Sequence, residues 1–350
     1  MSKNPKPFLI IKPSSLGDIL HTIPSLKILK KHYPQPPVHW LVKKEYASFL
    51  KELPEVDKVI PFPRSEWTIK SFPFWLPSFF RWLWSWQGPY QAVFDFQGLF
   101  RSGLFSYLSG ASLRVGFSHN REGASLFYTH RVRVSPKDHV ILQNASLLEP
   151  LGIREKPNIN HQYLEVPDFY KQRIAQKFPF LLESPTLLVC PFARWPSKYY
   201  PFPKWAFLLE KLYQIIPSHK LVIIGSSAHI REFQQLQRLC KAPLVNLIGK
   251  TSLWELASLL QRSELLISLE TGPMHLASLL QKRVIALFGP NRPSYVAPFC
   301  EKAIVLQAEL PCSGCEKKIC PLGHAKCMDE LDPQKILEKI LFSLNLSYTL

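Results

Sequence analysis

Short runs of consecutive apolar residues alternate with longer amphipathic stretches along most of this 350-residue chain. FLII at residues 8–11 is followed by a helical pattern from about Asp18 to Lys31, and the alternation resumes from TLLVC at residues 186–190 onward. A strand that is apolar on both faces belongs in a parallel sheet covered by helices. The alternation therefore predicts an α/β protein built on parallel, Rossmann-like sheets.

The length of the chain predicts two such domains, because one domain usually holds roughly 100–200 residues. The strand signal is lost near residues 160–183. We therefore expect one Rossmann-like domain over residues 1–165 and a second over residues 166–332. The amphipathic stretch at residues 333–350 is expected to form a helix that crosses back to the first domain.

The charge balance favours an anionic partner, since 43 basic and 26 acidic residues give a formal net charge of +17. Nucleic acid is the weakest candidate, because no RNP, zinc-finger or helix-turn-helix signature accompanies the charge. A membrane-directed binding protein without catalysis is one alternative, and an enzyme acting on a phosphorylated substrate is the other. We find no secretory signal and no uncharged apolar run of about 18 residues. These features and the odd count of seven cysteines favour a cytoplasmic location.

One segment, residues 67–90, is unusually aromatic: ten of its 24 residues are Phe, Trp or Tyr, and it holds five of the nine tryptophans. Its charged residues are Lys70 and Arg81. A buried helical excursion is one interpretation. The other is contact with an anionic membrane surface, where tryptophan rings lie with their N–H groups still hydrated.

The sequence SSLGD at residues 14–18 joins the first strand to its helix. Ser15 and Asp18 have the spacing of a helix-capping pair. The same place is where doubly wound sheets bind ligands, and Gly17 would allow a close approach of backbone to a ligand. The helix dipole favours an ionised Asp18, which can accept a proton from a hydroxyl. The structural and the catalytic interpretations are compatible.

A second strand–helix junction lies at SLETGPMHLASLL, residues 268–280. Thr271 is placed as the N-cap, with Gly272 and Pro273 opening the helix. Such a helix start presents free N–H groups to an anion, and a neutral His275 in the first turn would add a donor. A plain capped helix is the alternative interpretation.

Two further features are weaker on their own. Lys198 follows another strand, in a loop rich in proline and aromatic residues, where a held ammonium would neutralise a phosphate. Four cysteines, Cys312, Cys315, Cys320 and Cys327, fall within 16 residues and enclose His324. They predict either a structural zinc site or a surface loop, reduced or disulfide-linked, and we place no catalysis there.

Taken together, these motifs closely resemble glycosyltransferase family 9, the lipopolysaccharide heptosyltransferases, nearly from end to end. The matching segments are KPSSLGDILHTIP (12–24), FDFQGLFRSGL (94–104), REGASLFYTHRV (121–132), SKYYPFPKW (197–205), LIGKTSLWELASLL (247–260), ETGPMHLASLL (270–280) and ALFGPNRP (286–293). The segment at residues 121–132 is similar to the acceptor side of heptosyltransferase I and favours that branch.

The resemblance implies a GT-B fold, in which two Rossmann-like domains face each other across a cleft, the first binding the acceptor and the second the ADP-sugar. It implies inverting, metal-independent transfer of L-glycero-D-manno-heptose from ADP-heptose to the Kdo of a lipid A precursor. No cofactor is implied beyond this donor substrate, and the enzyme is expected at the inner face of the inner membrane. A later-acting heptosyltransferase, or a member using another nucleotide sugar, is the alternative.

The resemblance also assigns roles to residues. Asp18 is the expected catalytic base, and Lys198 holds the departing diphosphate. The implied donor-binding residues are Ser14, Ser15, Gly17, Lys198, Thr251, Ser252, Glu270, Thr271, Gly272 and His275. The implied acceptor-binding residues are Gln97, Arg101 and Arg121.

This chain departs from the family pattern in two places. The acid before Thr271 is usually aspartate, and here it is Glu270, whose carboxylate reaches one methylene further. The loop after LVIIG often carries a carboxylate for the ribose, whereas Ser227 or Ala228 occupies that position here and Glu232 lies further along.

Overall fold

The computed structural model describes residues 5–63, 74–120 and 122–346. The chain divides into two compact units, Met1–Pro157 and Asn158–Leu350. The boundary therefore lies a few residues before the predicted one at 165/166.

The first unit contains a six-stranded parallel sheet with the order β3-β2-β1-β4-β5-β6. Its strands are β1 (Phe8–Ile11), β2 (Val38–Lys43), β3 (Lys58–Phe62), β4 (Ala92–Asp95), β5 (Leu113–Phe117) and β6 (His130–Val132). The strand order reverses between β1 and β4, where Ile11 lies opposite Asp95. In doubly wound sheets, the carboxyl ends of the strands at such a reversal form the ligand site.

The helices of the first unit are α1 (Leu16–His32), α2 (Ala47–Leu50), α3 (Leu76–Trp86), α4 (Phe100–Leu108) and α5 (Val140–Ser146). Helix α1 is buried along much of its length because Ile19, Leu20 and Ile23 recur on the face that meets the sheet. It packs against α5, where the Asn144 side-chain amide donates to the carbonyl of His21 at 3.1 Å. This packing fixes the start of α1 at the end of β1.

The second unit repeats the plan with the strand order β12-β11-β10-β7-β8-β9, also parallel. Its strands are β7 (Thr186–Cys190), β8 (Lys220–Ile223), β9 (Leu244–Asn246), β10 (Leu265–Leu269), β11 (Val284–Phe288) and β12 (Ala303–Gln307). Its helices are α6 (Asp168–Lys177), α7 (Phe202–Ile215), α8 (Ile230–Leu239), α9 (Leu253–Arg262), α10 (Gly272–Leu279), α11 (Pro293–Val296), α12 (Lys326–Asp329) and α13 (Pro333–Ser343). The order reverses between β7 and β10.

The final helix, α13, belongs to the second unit. It packs against α7 and places Ile336, Leu337 and Ile340 in the core of that unit. The expectation that the segment 333–350 crosses back to the first domain stays a prediction.

The predicted fold class, α/β with two Rossmann-like domains, is confirmed by these two parallel sheets. The predicted cleft between the domains stays a prediction. Within the described residues, no helix combines the length and the hydrophobicity needed to cross a bilayer.

Gly116 in β5 is required by close packing. A Cβ atom at this position would lie 2.2 Å from a ring carbon of Tyr128, whose hydroxyl donates to the Asp95 carboxylate at 2.6 Å. We expect Gly116→Ala to lower the free energy of unfolding by about 1–3 kcal/mol through overpacking, measured by urea denaturation. Gly88→Ala is the matched control, because nothing lies within 4 Å of its Cβ position; equal midpoints for the two variants would contradict the prediction.

Candidate functional site

The first candidate site forms where β1 meets α1. The backbone N–H of Ser15 donates to Asp18 Oδ2 at 2.8 Å, and the Ser15 hydroxyl donates to the same oxygen at 2.7 Å. The predicted capping contact between these two residues is therefore present. Asp18 is half-buried at the helix start, so the carboxylate that stabilises α1 also lies at the ligand edge of the sheet.

The neighbouring strand β4 contributes a buried acid that the sequence analysis did not assign to the site. Asp95 is fully buried; its Oδ1 accepts from the backbone N–H groups of Gln97 (2.8 Å) and Gly98 (3.2 Å), and its Oδ2 accepts from Tyr128. Burial raises the pKa of the Asp95 carboxyl despite these donors. The signal for it was an apolar run, AVF, that ends in an acid two residues before Gln97-Gly98.

Asp95 fixes a loop that reaches the β1–α1 junction. Gln97 Oε1 accepts from the backbone N–H of Ser14 at 3.4 Å. The structure thus brings together Ser14, Ser15, Asp18 and Gln97 from the predicted set. Arg101 lies on α4 with its guanidinium 5.7 Å from the ring centre of Phe62, the last residue of β3. Arg121 lies outside the described residues.

In the second unit, a buried ion pair occupies the reversal between β7 and β10. Lys198 Nζ lies 2.6 Å from Glu270 Oε2, and the two side chains are only 12% and 8% exposed. The ammonium also lies 4.5 Å from the ring centre of Trp195. A glutamate in place of the family's aspartate therefore supplies the carboxylate that holds this lysine. Desolvating two charges is costly, so the pair is not explained by stability alone.

Helix α10 begins beside this pair. Thr271 is its N-cap residue but makes no side-chain cap. Its hydroxyl instead donates to the carbonyl of Leu269 at 3.3 Å and contacts the Cys190 sulfur at 3.7 Å. The first turn, with Gly272 at N1 and Pro273 at N2, is left without a capping side chain, as an anion site requires. His275 is buried in that turn.

Thr251 and Ser252, two of the predicted donor-binding residues, lie at the start of α9. Ser252 forms a capping box with Glu255, with contacts of 2.7 and 3.2 Å. Ser252 therefore has a structural role as the helix cap. Thr251 lies half-buried directly before it.

The loop after β8 carries an imidazole that the sequence analysis overlooked. Ser227 and Ala228 are exposed, whereas His229 stacks on Phe192 with ring centres 5.0 Å apart. Its Nδ1 accepts from the backbone N–H of Ser226 at 3.2 Å, and burial lowers the pKa of the imidazole. A neutral ring thus stands near the expected place of a ribose-binding carboxylate.

The four clustered cysteines, together with His324, line one cavity. All of them are free thiols, so the disulfide interpretation is not supported. No group of three or more histidine, cysteine or acidic side chains in the described parts of the chain is arranged to hold a metal ion. The cysteine loop, residues 312–327, contacts the turn that carries Lys198. The Ser197 hydroxyl donates to the carbonyl of Lys317 at 2.7 Å, and the Ser197 N–H donates to that of Lys318 at 3.3 Å.

Comparisons with known proteins agree on one family. Residues 86–326 match the family model described as glycosyltransferase family 9 (heptosyltransferase). Lipopolysaccharide core heptosyltransferase OpsX of Haemophilus influenzae is 26% identical over 301 residues, covering 84% of this chain and 82% of that protein. Lipopolysaccharide heptosyltransferase 1 of Pseudomonas aeruginosa is 25% identical over 366 aligned positions, covering 95% of this chain and 96% of that protein.

A solved structure extends the similarity to three dimensions. The structure of Escherichia coli ADP-heptose LPS heptosyltransferase II superposes with a TM-score of 0.74 at 22% identity, covering 97% of this chain and 98% of that chain. This likeness shows a shared fold.

The cysteine loop gives a prediction about reactivity. Backbone N–H groups of the following turn, that of Ala325 above all, hydrogen-bond to the Cys320 sulfur and lower the pKa of its thiol. Burial raises the pKa of Cys300 and of Cys190. Since the thiolate is the nucleophile, iodoacetamide at about pH 7 should label Cys320 well before those two, as followed by mass spectrometry of the folded protein. Cys320→Ser is the control, and equal labelling of Cys300 would contradict this.

Proposed function

Because the chain belongs to glycosyltransferase family 9, the heptosyltransferases, we propose that it transfers L-glycero-D-manno-heptose from ADP-heptose to the Kdo of a lipid A precursor. The observation that supports this most is the chemistry at the two strand reversals. The first carries a half-buried carboxylate, Asp18, and the second a buried ammonium, Lys198, beside an uncapped helix start. A base and an anion site are what a nucleotide-sugar transfer needs.

In the proposed reaction, a Kdo hydroxyl oxygen attacks C1 of the heptose while its proton passes to Asp18. The bond between C1 and the phosphate oxygen breaks, and ADP leaves with the electron pair. Attack opposite the leaving group inverts the anomeric centre. Lys198 and the N–H groups at the start of α10 stabilise the charge that develops on the diphosphate. We propose that these groups make the transfer independent of a metal ion.

The donor is assigned mainly to the second unit, with Ser14, Ser15 and Gly17 of the first unit as further proposed donor contacts. Thr271, Gly272 and His275 would bind the diphosphate, and Thr251 and Ser252 would border the nucleoside. An ADP-sugar is favoured by the name of the Escherichia coli protein of the same fold, an ADP-heptose heptosyltransferase. The neutral His229–Phe192 stack offers an apolar surface where the family often has a carboxylate, so contacts to the ribose differ here.

The acceptor is assigned to the first unit, with Gln97, Arg101 and Arg121 as candidates for the Kdo carboxylates. The relatives include enzymes named heptosyltransferase 1 and heptosyltransferase II. The preference for the first heptose rests on the segment REGASLFYTHRV. A later-acting heptosyltransferase, or one using another nucleotide sugar, is the alternative, and assays with unheptosylated and heptosylated acceptors separate them.

We also propose that the enzyme works at the cytoplasmic face of the inner membrane, held there by α3 and the residues just before it. Phe74, Phe80 and Trp84 are 87%, 45% and 69% exposed. Leu83 and Trp86 are buried and fix the helix to its unit. Exposed aromatic rings on a chain with a net charge of +17 suit an anionic lipid surface. Residues 67–73 of the aromatic segment lie outside the described residues.

The role of Asp18 as the base is tested by Asp18→Asn and Asp18→Ala. Asparagine keeps an oxygen that accepts from the Ser15 N–H but takes up no proton. We expect both variants to lower kcat for heptose transfer to Kdo-lipid A by at least about 100-fold, because general bases contribute this much. The KM for ADP-heptose should stay within about threefold, since Asp18 is not among the proposed donor-binding residues and most of these lie on the second unit.

Ser15→Ala is the matched control for that experiment. It removes one of the two donors to Asp18 and leaves the carboxylate in place, so kcat should fall far less than in Asp18→Asn. Both helix-cap variants should lose about 0.5–2 kcal/mol of stability at most. Retained transfer by Asp18→Asn would remove Asp18 from the role of base.

The membrane proposal is tested by the double variant Phe80→Ser and Trp84→Ser. Losing two aromatic contacts should reduce binding to phosphatidylglycerol vesicles at least about tenfold in a co-sedimentation assay, without changing the turnover of a soluble Kdo acceptor. Phe342→Ser is the matched control, because Phe342 is 72% exposed but lies on α13. Equal vesicle binding by the double variant and the control would contradict a role for α3.

A further inference from the structure

Lys12 is a buried lysine that the proposed mechanism does not use. It directly follows β1 and is only 7% exposed. Its ammonium donates to the carbonyl of Phe96 at 2.7 Å, and its own carbonyl accepts from the indole N–H of Trp40 at 3.4 Å. Within residues 5–63, 74–120 and 122–346, no carboxylate forms an ion pair with this ammonium. Two of its three N–H donors therefore have no acceptor in this described part of the chain.

Stability does not account for this lysine. A buried charge without an opposite charge is unfavourable, and one neutral carbonyl offsets only part of the desolvation. Lys27 on α1, in the same unit, differs because it has an acidic partner: its Nζ lies 2.5 Å from Glu55 Oε1. A methionine at position 12 would fill similar space without the electrostatic cost.

The Lys12 ammonium lies at the strand reversal of the first sheet. Its partner Phe96 directly follows β4, so Nζ lies between the two chain segments that leave the sheet at the strand reversal. The start of α1, a helix of 17 residues, lies just beyond, and its positive dipole end adds to the potential there. Ser14 and Gln97 beside it are half-buried and joined to each other. An anion bound between these loops would meet an ammonium of which two donors have no acceptor among the described residues.

We propose that Lys12 and the start of α1 form a binding site for a carboxylate of the acceptor sugar, a role not included among the acceptor contacts above. The identity of the acceptor as a Kdo rests on the proposed function. A charge-assisted hydrogen bond from Lys12 anchors the sugar acid at the strand–helix junction that carries Asp18. Lys12 is therefore a specificity-determining residue for acidic acceptors.

The test uses the full chain with the substitution Lys12→Met and two ligands, Kdo monosaccharide and ADP. Titration calorimetry should show Kdo binding at least about tenfold weaker in the variant, as expected for loss of a hydrogen bond between charged groups, and ADP binding unchanged. In the transfer assay, the KM for the acceptor should rise by about 10- to 100-fold, with the KM for ADP-heptose unchanged. The midpoint of thermal unfolding should rise, because an unpaired buried charge is removed.

Lys27→Met is the matched control: it strips Glu55 of its partner, so it should lower the unfolding midpoint and leave both ligands unaffected. Unchanged Kdo binding in Lys12→Met overturns the inference. A lower unfolding midpoint of Lys12→Met without a kinetic change would make Lys12 a structural residue. Weaker ADP binding by that variant would place Lys12 at the donor site. Either result would also overturn the inference. Kdo binding that depends on Lys12 in a protein that fails to transfer heptose would leave this site standing and remove the proposed function alone.

Discussion

In a parallel sheet, the carboxyl ends of all strands lie at the same edge. The strand order decides where two neighbouring connections diverge and leave a crevice at that edge. In the first unit, β1 and β4 are neighbours although they are far apart in sequence, and their connections leave in opposite directions. The second unit repeats this with β7 and β10. Asp18, Gln97 and Lys12 owe their proximity to the first reversal, and Lys198 and Glu270 to the second. The candidate chemistry of the chain depends on these two strand pairs.

At both openings, groups that hold the fold together are also the groups available for chemistry. Asp18 accepts two hydrogen bonds from Ser15 and is at the same time the proposed base. Lys198 is held by Glu270, so the same ion pair that neutralises this buried acid also positions the ammonium. Thr271, by contrast, does not cap its helix. Its hydroxyl donates to the carbonyl of Leu269 in β10, so the first turn of α10 has no capping side chain. Substitutions at these positions therefore need controls that separate stability from turnover.

The sequence allowed the fold class to be predicted because the strands that carry the sites are buried on both faces. β9 and β12 were not predicted, since they are half-buried sheet-edge strands and their side chains give no continuous apolar run. The helix α13 was predicted as a helix, but its packing against α7 was not, because an amphipathic pattern does not say which surface it covers. The contacts of Lys198 with Glu270 and of Asp95 with Tyr128 join residues distant in sequence, and spacing along the chain carries no signal for them.

The two hydrogen bonds from Ser197 to the cysteine loop tie the turn that carries Lys198 to a segment about 120 positions later. The loop whose Cys320 thiol has a lowered pKa thus shares a scaffold with the ammonium proposed to hold the donor. Under the proposed function, oxidation of Cys320 would disturb the turn that carries Lys198 and weaken nucleotide binding, without any loop residue having to touch the nucleotide.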